Sequence, residues 1–477
     1  MSKVSTAASI AVIGGGLAGL SAACALADSG FRITLFERRS YLGGRASSYH
    51  HPGTGEIVDN CQHVLFASCT NLIEFYRRIG VSDKIAWSDR MTFVEPGGRQ
   101  TALHPSPLPA PLHTAPAFLR FPFLSWHDKL AIGRALAAII PAPLPDTGES
   151  FLVWLLRHHQ TANAIERFWK PILVSALSED LDRMAVPYAA QVVRESMASP
   201  AARHMGIPAI PLTELYGAAA DYISRRGGEI RLRCSVEHFE PENSRVSLGF
   251  ADGGASYDFV VAAVPYDVLA SLLPEDRASE PLKGKLGRLE SSPITGIHLW
   301  FDRQISDLPH AVLLDRTIQW MFHKSKLLNR AGEGSYVELV VSSSKSLVEK
   351  SKPEIVEMAS NELAEFFPDV AGARLLKSAV IKEVYATFSP CPRIDTYRPA
   401  TETAWPRVLL AGDFTNTGWP ATMEGAVRSG YKAAEQMART LGVEARFLVP
   451  DLPPSGLMRL FGHSRLRGQQ DHSACDQ

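Results

Sequence analysis

The pattern of apolar and polar positions at the start of the chain predicts a strand, a helix and a second strand. Ser9–Ile13 is apolar and β-branched and is followed by glycine, which is typical of a buried strand. Residues 17–29 are rich in alanine and leucine and stop before Gly30, which predicts a helix with a glycine stop. Residues 31–36 alternate again, so the three elements form a βαβ unit of about 30 residues.

Similar patterns recur in two later parts of the chain. Residues 212–265 predict a helix, a strand, a hairpin and a further buried strand in DFVVAAVP, and residues 407–416 (RVLLAGDFTN) precede a helix-like run. The intervening stretches have a different character. Residues 148–203 show mostly helical patterns, whereas residues 294–301 and 335–342 have strand patterns.

These patterns predict an α/β fold in which a discontinuous Rossmann-like domain carries an inserted α+β domain. A chain of 477 residues is long for one simple core, which agrees with two intertwined domains. The predicted Rossmann-like domain comprises residues 1–100, 208–270 and 385–445, the inserted domain comprises 101–207 and 271–384, and a tail takes 446–477.

The first strand and helix are joined by the sequence GGGLAG, which contains a GxGxxG motif. In such motifs Gly14 permits the tight turn, Gly16 lets the backbone approach a pyrophosphate, and Gly19 lets the helix pack against the sheet. The N–H groups at the helix start, from Leu17 and Ala18, together with the helix dipole, favour phosphate binding there. The motif therefore predicts a dinucleotide site.

A carboxylate and a second glycine pair distinguish between nicotinamide and flavin cofactors. Glu37 ends the second strand, where its carboxylate can accept hydrogen bonds from ribose hydroxyl groups. Gly43, Gly44 and Arg45 follow shortly, in ERRSYLGGRAS. A flexible glycine pair with an arginine suits the diphosphate of an extended cofactor and has no use in a nicotinamide site. We therefore predict that the cofactor is FAD.

The motifs at both ends of the chain resemble those of the flavin amine oxidase and phytoene desaturase superfamily. Its N-terminal signature is the dinucleotide fold followed by E-R-x(4)-GGR, and LLAGDFTNTGWPATMEGAVRSG resembles its second flavin motif. The resemblance implies that the helix beginning near Met423 points its N-terminus at the flavin. The FAD-binding residues expected from the motifs and the resemblance are Gly14, Gly16, Leu17, Ala18, Gly19, Glu37, Arg38, Gly44, Arg45, His63, Val236, Gly412, Asp413 and Met423.

Composition excludes several other classes of function. The residues are 45% hydrophobic and 21% charged, as in globular proteins, and a net charge of −1 gives no field to attract nucleic acid. None of the six cysteines forms a CxxC pair, so we expect neither a metal site nor disulfides, and a cytoplasmic setting. We also expect no signal peptide, because the apolar run from Ile10 holds the glycine motif. We expect no membrane-spanning helix, because no run of 18 apolar residues occurs.

The region between residues 104 and 203 is rich in bulky apolar side chains. Two interpretations are open: they line a long apolar cavity, or they form an ordinary helical core. The basic residues Arg120, Lys129 and Arg134 lie among apolar ones, which indicates either a patch for the inner face of the cell membrane or a plain insertion. The large apolar residues concerned are Phe118, Phe121, Phe123, Leu124, Trp126, Phe151, Trp154, Phe168 and Trp169.

Two further segments resemble the hydroxysqualene dehydroxylases, a family of squalene-associated flavoproteins of hopanoid biosynthesis. They are GEIVDNCQHVLFASCTNL, in which Cys61 replaces the glycine usual in the superfamily, and ERFWKPILVSALSEDLDRMAV. The resemblance implies reductive removal of an allylic hydroxyl group from hydroxysqualene, which gives squalene. It makes Asp59 and His63 candidate proton donors and Trp419 a candidate wall beside the flavin. The electron donor is left open, because no second GxGxxG motif occurs.

Three alternatives remain at this point. The first is a phytoene- or carotene-type desaturase, because sequence does not determine the redox direction. The second is an amine or protoporphyrinogen oxidase, for which Trp419 supplies one aromatic wall. The third is a non-enzymatic prenyl-lipid carrier related to the Rab GDP-dissociation inhibitors, which lack parts of the flavin signature that this chain retains.

Overall fold

The computed structural model describes residues 8–329, 332 and 334–461. The N-terminal residues 1–7 and the end of the predicted tail, residues 462–477, lie outside this description. In chain order the strands are β1 Ser9–Ile13, β2 Arg32–Glu37, β3 Ser48–His50, β4 Ile57–Asp59, β5 Leu65–Phe66, β6 Ile85–Ser88, β7 Met91–Val94, β8 Gln100–Leu103, β9 Met205–Pro208, β10 Glu229–Leu232, β11 His238–Pro241, β12 Val246–Phe250, β13 Gly253–Tyr257, β14 Phe259–Ala262, β15 Ser291–Phe301, β16 His310–Leu313, β17 Trp320–His323, β18 Ser335–Ser342, β19 Leu375–Phe388 and β20 Val408–Leu410.

The helices alternate with the strands in the Rossmann-like part and cluster in the insertion. A π-helical turn, Ile165–Trp169, joins α6 to α7 in one continuous helix. In chain order the helices are α1 Leu17–Asp28, α2 Thr70–Ile79, α3 Ala115–Leu119, α4 Trp126–Ile139, α5 Phe151–Arg157, α6 Ala162–Ala164, α7 Lys170–Leu177, α8 Val186–Met197, α9 Leu212–Ser224, α10 Tyr266–Leu272, α11 Glu280–Leu286, α12 Lys324–Leu327, α13 Lys352–Phe366 and α14 Met423–Thr440.

A parallel sheet of five strands, in the order β10–β2–β1–β14–β20, forms the centre of the Rossmann-like domain. The predicted βαβ unit is confirmed, and the three separated pieces of chain all contribute strands to this sheet. Helix α14 crosses α1 very closely at Gly430, where an added Cβ would lie 2.3 Å from the carbonyl oxygen of Ala18. The first and last motifs of the chain therefore meet on one sheet, as the α/β prediction requires.

The second domain is built on a mixed sheet of seven strands, in the order β19–β15–β18–β17–β16–β7–β8. The strands predicted at residues 294–301 and 335–342 are confirmed as parts of β15 and β18. Helices α3 to α8 share one hydrophobic core with this sheet. In place of the predicted hairpin, β11, β12 and β13 form an antiparallel meander beside the Rossmann-like sheet.

Strand pairing moves two of the predicted domain boundaries. Strands β7 and β8 belong to the seven-stranded sheet, because β7 pairs with β16, so the first Rossmann-like piece ends before Met91 and not at residue 100. Strand β19 continues to Phe388, beyond the predicted restart at residue 385. The alternation of side chains identifies a strand but does not say which sheet it joins.

Candidate functional site

The glycine turn between β1 and α1 is shaped by close backbone contacts. Gly14 has a φ of +109°, and a Cβ there would lie 2.5 Å from the carbonyl oxygen of Ala263. A Cβ on Gly19 would lie 1.9 Å from the carbonyl oxygen of Gly14. Both residues must therefore be glycine for the strand–helix turn to close.

Gly16 differs from its neighbours because its backbone does not require glycine. Its φ is −79° and its ψ is 177°, an extended conformation that any residue adopts. The nearest atom to an added Cβ is the Cα of Gly44, at 3.9 Å. Gly43 donates its N–H to the carbonyl of Gly15 at 2.9 Å, so the second glycine pair lies directly against the first motif. The space kept free at Gly16 faces the cavity described below.

Glu37 and the residues after it lie at the end of β2 on the cavity wall. Its carboxylate accepts the N–H of Gly15 at 2.7 Å and that of Arg39 at 2.8 Å. Carboxylate oxygens have further lone pairs, so Glu37 can still accept hydrogen bonds from a ribose. Arg38 is exposed at the cavity rim, whereas Arg39, which the motif analysis did not name, donates to the carbonyl of Gly44 at 3.0 Å.

Arg45 links the N-terminal and C-terminal motifs. Its guanidinium pairs with Asp413 at 2.5 Å and donates to the carbonyl of Ala386 at 2.8 Å. Gly412, which also lines the cavity, donates its N–H to the hydroxyl of Ser429 at 2.8 Å. The two ends of the sequence thus form one continuous surface on the cavity wall, and it includes Arg45, the residue predicted to lie near a diphosphate.

The last helix, α14, begins at the cavity. Thr422 caps it by accepting the N–H of Gly425 at 3.0 Å, and Met423 at its first position contacts the hydroxyl of Tyr216 through sulfur at 3.3 Å. A helix N-terminus stabilises negative charge placed near it. This arrangement agrees with the place that the motif resemblance assigns to the flavin ring.

These features surround a mostly apolar cavity of about 850 Å³. Its wall runs from Gly16 and Glu37, past Val236 and Arg45, to Met423 and on into the second domain. The residues present fit FAD, because the start of α1 carries no side-chain cap and Gly16 and Gly44 leave backbone bare where a pyrophosphate would lie. Cavities of about 300–1,000 Å³ are typical of ligand sites.

Asp59 lies outside the cavity wall, which argues against the expectation that it donates a proton to substrate. The side chain is buried, its Oδ2 pairs with Lys324 Nζ at 2.7 Å, and its Oδ1 accepts the hydroxyl of Ser48 at 2.5 Å. Burial acts to raise the pKa of Asp59, but the Lys324 ammonium and these hydrogen bonds outweigh it and lower the pKa. Asp59 is an ionised member of a buried ion pair.

Lys324 was not anticipated from the sequence, although it holds Asp59 in place. Its ammonium also donates to Gln62 at 2.8 Å and lies 3.6 Å from Glu338. Burial raises the pKa of Glu338 to about 8, so this second carboxyl is largely neutral at pH 7. The cluster therefore contains one cation and one anion, and it joins β4 of the first domain to α12 and β18 of the second.

His63 lines the cavity, but its protonation state does not suit a proton donor. Its Nδ1 donates to the carbonyl of Cys61 at 2.7 Å, and burial lowers its pKa below the ordinary value. At neutral pH the ring is uncharged and its Nε2 is an acceptor. The structure therefore favours a role for His63 in contacting the cofactor or substrate over a role as an acid. Cys61 is buried beside it.

Trp419 lies on the cavity wall just before α14 and is nearly buried. The guanidinium of Arg428 lies 4.7 Å from the centre of its ring, so one part of the indole packs against a cation. Trp419 therefore fits the predicted place of a wall near the flavin helix.

Helix α8 contributes a polar face to the cavity that the sequence analysis did not identify. Gln191 and Glu195, one turn apart, both line the wall. Gln191 donates through its amide nitrogen to the carbonyl of Gly418 at 3.0 Å, next to Trp419. The four-residue spacing of Gln191 and Glu195 indicates that they share one helix face. The sequence pattern alone does not show that this face points toward the cavity.

Fold and site together define an oxidoreductase that binds FAD. A family model described as flavin containing amine oxidoreductase matches residues 17–438. The chain belongs to the flavin-containing amine oxidoreductase family, which confirms the superfamily, the fold class, the enzymatic character and the cofactor expected from the motifs.

Relatives and solved structures agree with this assignment. The chain is 26% identical to 15-cis-phytoene desaturase of Synechococcus elongatus over 455 residues, which span 89% of this chain and 95% of the relative. It is 25% identical to the probable zeta-carotene desaturase of the same organism over 480 residues, or 91% and 100% of the two chains.

Among solved structures, the fold is similar to that of a putative protoporphyrinogen oxidase from Exiguobacterium sp., with a TM-score of 0.66, 18% identity and coverage of 91% and 99%. Cyclohexylamine oxidase from Brevibacterium oxydans also has a TM-score of 0.66, with 16% identity and coverage of 91% and 100%. At these identities the likeness bears on the fold alone.

Proposed function

We propose that this FAD-dependent oxidoreductase acts on a long isoprenoid and removes the allylic hydroxyl group of hydroxysqualene to give squalene. The observation that carries the proposal is the apolar chamber that continues from the flavin cradle into the second domain. Its proposed substrate class agrees with the relatives named as phytoene and carotene desaturases. The hydroxyl-specific part rests on the motif resemblance and on the polar face of α8.

The chamber is walled by aromatic side chains whose polar atoms are satisfied elsewhere. Trp169 donates its indole N–H to Gln160 at 2.9 Å, and Trp320 donates to Ser175 at 2.8 Å. Trp320 stacks on Phe322 with ring centroids 5.4 Å apart. These rings therefore present apolar surface to the substrate. Of the aromatic residues singled out in the sequence, Phe118, Phe168 and Trp169 line the wall, whereas Phe121, Phe123, Phe151 and Trp154 are buried in the core and Trp126 is exposed.

The chain's own residues account for the requirements of dehydroxylation. Hydroxide leaves only if it is protonated, and the allylic cation left behind must be kept away from water. The mostly apolar wall gives water few hydrogen-bond partners, and aromatic faces stabilise a cation at close range. Bound FAD supplies two-electron redox chemistry.

Desaturation of a polyene is the second candidate. It is favoured by the relatives, which are named phytoene and zeta-carotene desaturases and match nearly the whole chain. The same apolar chamber would hold such a substrate, so the two candidates differ in redox direction and in their need for a proton donor.

A paired assay distinguishes these functions. We expect the photoreduced holoenzyme, kept anaerobic in detergent, to convert hydroxysqualene to squalene, and the oxidised holoenzyme to leave squalene and phytoene unchanged. Products are measured by gas or liquid chromatography with mass spectrometry. Unchanged alcohol together with new double bonds in the oxidised reaction would support desaturation, and a colourless protein that binds isoprenoids without turnover would support the carrier alternative.

We further propose that the protein docks on the surface of the cell membrane, on its cytoplasmic face. Large apolar side chains are exposed near one end of the cavity, with Trp126 66% and Leu130 60% exposed on α4. Leu112 is exposed and also lines the cavity, so this surface adjoins an entrance. Arg120 and Arg134 are exposed nearby and would face anionic lipid headgroups. No helix in the described residues is long and apolar enough to cross a membrane.

We expect the double variant Trp126→Asp, Leu130→Asp to lose sedimentation with vesicles of anionic phospholipid, because two charges replace the most exposed apolar side chains of α4. Leu376→Asp is the matched control, since Leu376 is a 52% exposed leucine on the edge strand β19 of the second sheet. Vesicle binding that survives the double change would contradict membrane docking. A wild-type protein that dimerises through this surface and ignores vesicles would show that a second copy covers it.

A further inference from the structure

Helix α8 carries two unpartnered oxygen atoms, one on each of two residues that line the cavity. Gln191 and Glu195 are one helical turn apart and both line the wall. Gln191 Oε1 and Glu195 Oε2 are buried, and neither has a hydrogen-bond partner. Buried polar atoms are nearly always paired in native proteins, so these two oxygens lack the polar partner that such groups normally have.

The orientation of Gln191 is fixed by its surroundings. Its amide nitrogen donates to the carbonyl of Gly418, which can only accept, so the amide oxygen is the atom left without a partner. A hydrocarbon would leave this oxygen and the Glu195 carboxyl unsatisfied, at a cost of about 1–3 kcal/mol for each group. A hydroxyl group, which both donates and accepts, satisfies both.

The other buried carboxylates on the described wall have partners. Asp413 pairs with Arg45, and Glu37 accepts two backbone N–H groups. Glu424 pairs with Arg428 at 2.6 Å and accepts the N–H of Leu72 at 2.7 Å. Among the described wall residues, Glu195 is the carboxyl with a buried, unpartnered oxygen.

We propose that Glu195 and Gln191 form a hydroxyl-binding subsite in which Glu195 is the catalytic acid that protonates the leaving hydroxyl group. The substrate hydroxyl donates to Gln191 Oε1 and receives the Glu195 proton. The C–O bond then breaks with its electron pair on oxygen, and water leaves. FADH₂ is the reductant of the allylic carbon, so that R–OH + FADH₂ gives R–H + H₂O + FAD, and the proton released on oxidation restores Glu195. This assignment rests on the proposed function.

The surroundings of Glu195 allow it to keep its proton at a much higher pH than an ordinary glutamate. Burial and the like charges of Asp451 and Glu424 raise its pKa to about 7, against the opposing effects of Arg428 and Arg194. Cys69, directly before α2, is a further titratable group that interacts electrostatically with Glu195. Because the acid must carry its proton to act, the dehydroxylation rate should be highest below pH 7 and fall as the pH rises through that value.

The Glu195→Gln variant tests the acid, and Glu166→Gln, on an exposed surface glutamate, is the matched control. We expect Glu195→Gln to lower the dehydroxylation rate about 10²- to 10⁴-fold and to remove the fall in rate near pH 7. Independently of turnover, infrared spectra of the oxidised holoenzyme should show a carboxylic acid band that titrates near pH 7 and is absent in Glu195→Gln. Glu166→Gln should match the wild type in all three measurements.

Gln191→Leu tests the subsite by binding alone. Quenching of tryptophan fluorescence in the oxidised holoenzyme should show that the wild type binds hydroxysqualene more tightly than squalene. In the variant, the ratio of the dissociation constants for squalene and hydroxysqualene should fall about tenfold, because one hydrogen bond to the hydroxyl group is removed. An unchanged preference, or an unchanged rate and pH profile in Glu195→Gln, would overturn the subsite while leaving dehydroxylation intact. If the wild type prefers hydroxysqualene over squalene, both Gln191 and Glu195 are needed for this preference, and the wild type nevertheless does not dehydroxylate hydroxysqualene, then the proposed function is refuted and the subsite stands.

Discussion

Gly16→Val is expected to give a folded protein that retains no FAD. The extended backbone at Gly16 accepts any residue, and an added Cβ has nothing closer than the Cα of Gly44, at 3.9 Å. The side chain instead enters the space where the pyrophosphate approaches the start of α1. The measurement is the flavin absorbance of the purified protein, with circular dichroism as the test of folding.

Two other glycine variants separate cofactor loss from misfolding. Gly284→Ala on α11 has nothing within 4 Å of its added Cβ and should keep both the fold and the flavin. Gly19→Val should fail to fold, because its Cβ would collide with the carbonyl oxygen of Gly14. A Gly16→Val protein that is as yellow as the wild type would refute the placement of the cofactor.

Lys324→Met should destabilise the holoenzyme by about 3–5 kcal/mol. The change keeps an unbranched side chain of similar shape but leaves Asp59 buried without its cation, and buried charges without partners are costly. The midpoint of urea unfolding, followed by circular dichroism at a fixed excess of FAD, measures the effect. The pKa of Asp59 should rise, because Lys324 is the charge that lowers it.

Lys170→Met is the matched control for this prediction. Lys170 pairs with Glu166 at 2.7 Å, but both side chains are at least half exposed, so its loss should cost no more than about 1 kcal/mol. The double variant Asp59→Asn, Lys324→Met should recover part of the lost stability, since no net charge is then left at this pair. Equal effects of the two lysine changes would contradict a buried ion pair between the domains.

Local sequence determined the parts of the molecule whose structure depends on neighbouring residues. The alternation of side chains and the glycines around them identify β1, α1 and β2, because strand, turn and helix each require particular residues at short spacing. The same holds for the start of α14, where Met423 follows the capping Thr422. The identity of the cofactor followed from these local motifs.

Tertiary structure alone decided which distant residues meet. Asp59 has the sequence context of a flavin-side acid, but Lys324, far along the chain, pairs with it and keeps it ionised. Glu195 is one of many glutamates in the sequence, and only the packing of α8 buries an oxygen of it without a partner at the cavity. Desolvation and ion pairing depend on contacts between segments remote in sequence, and these contacts set the protonation states.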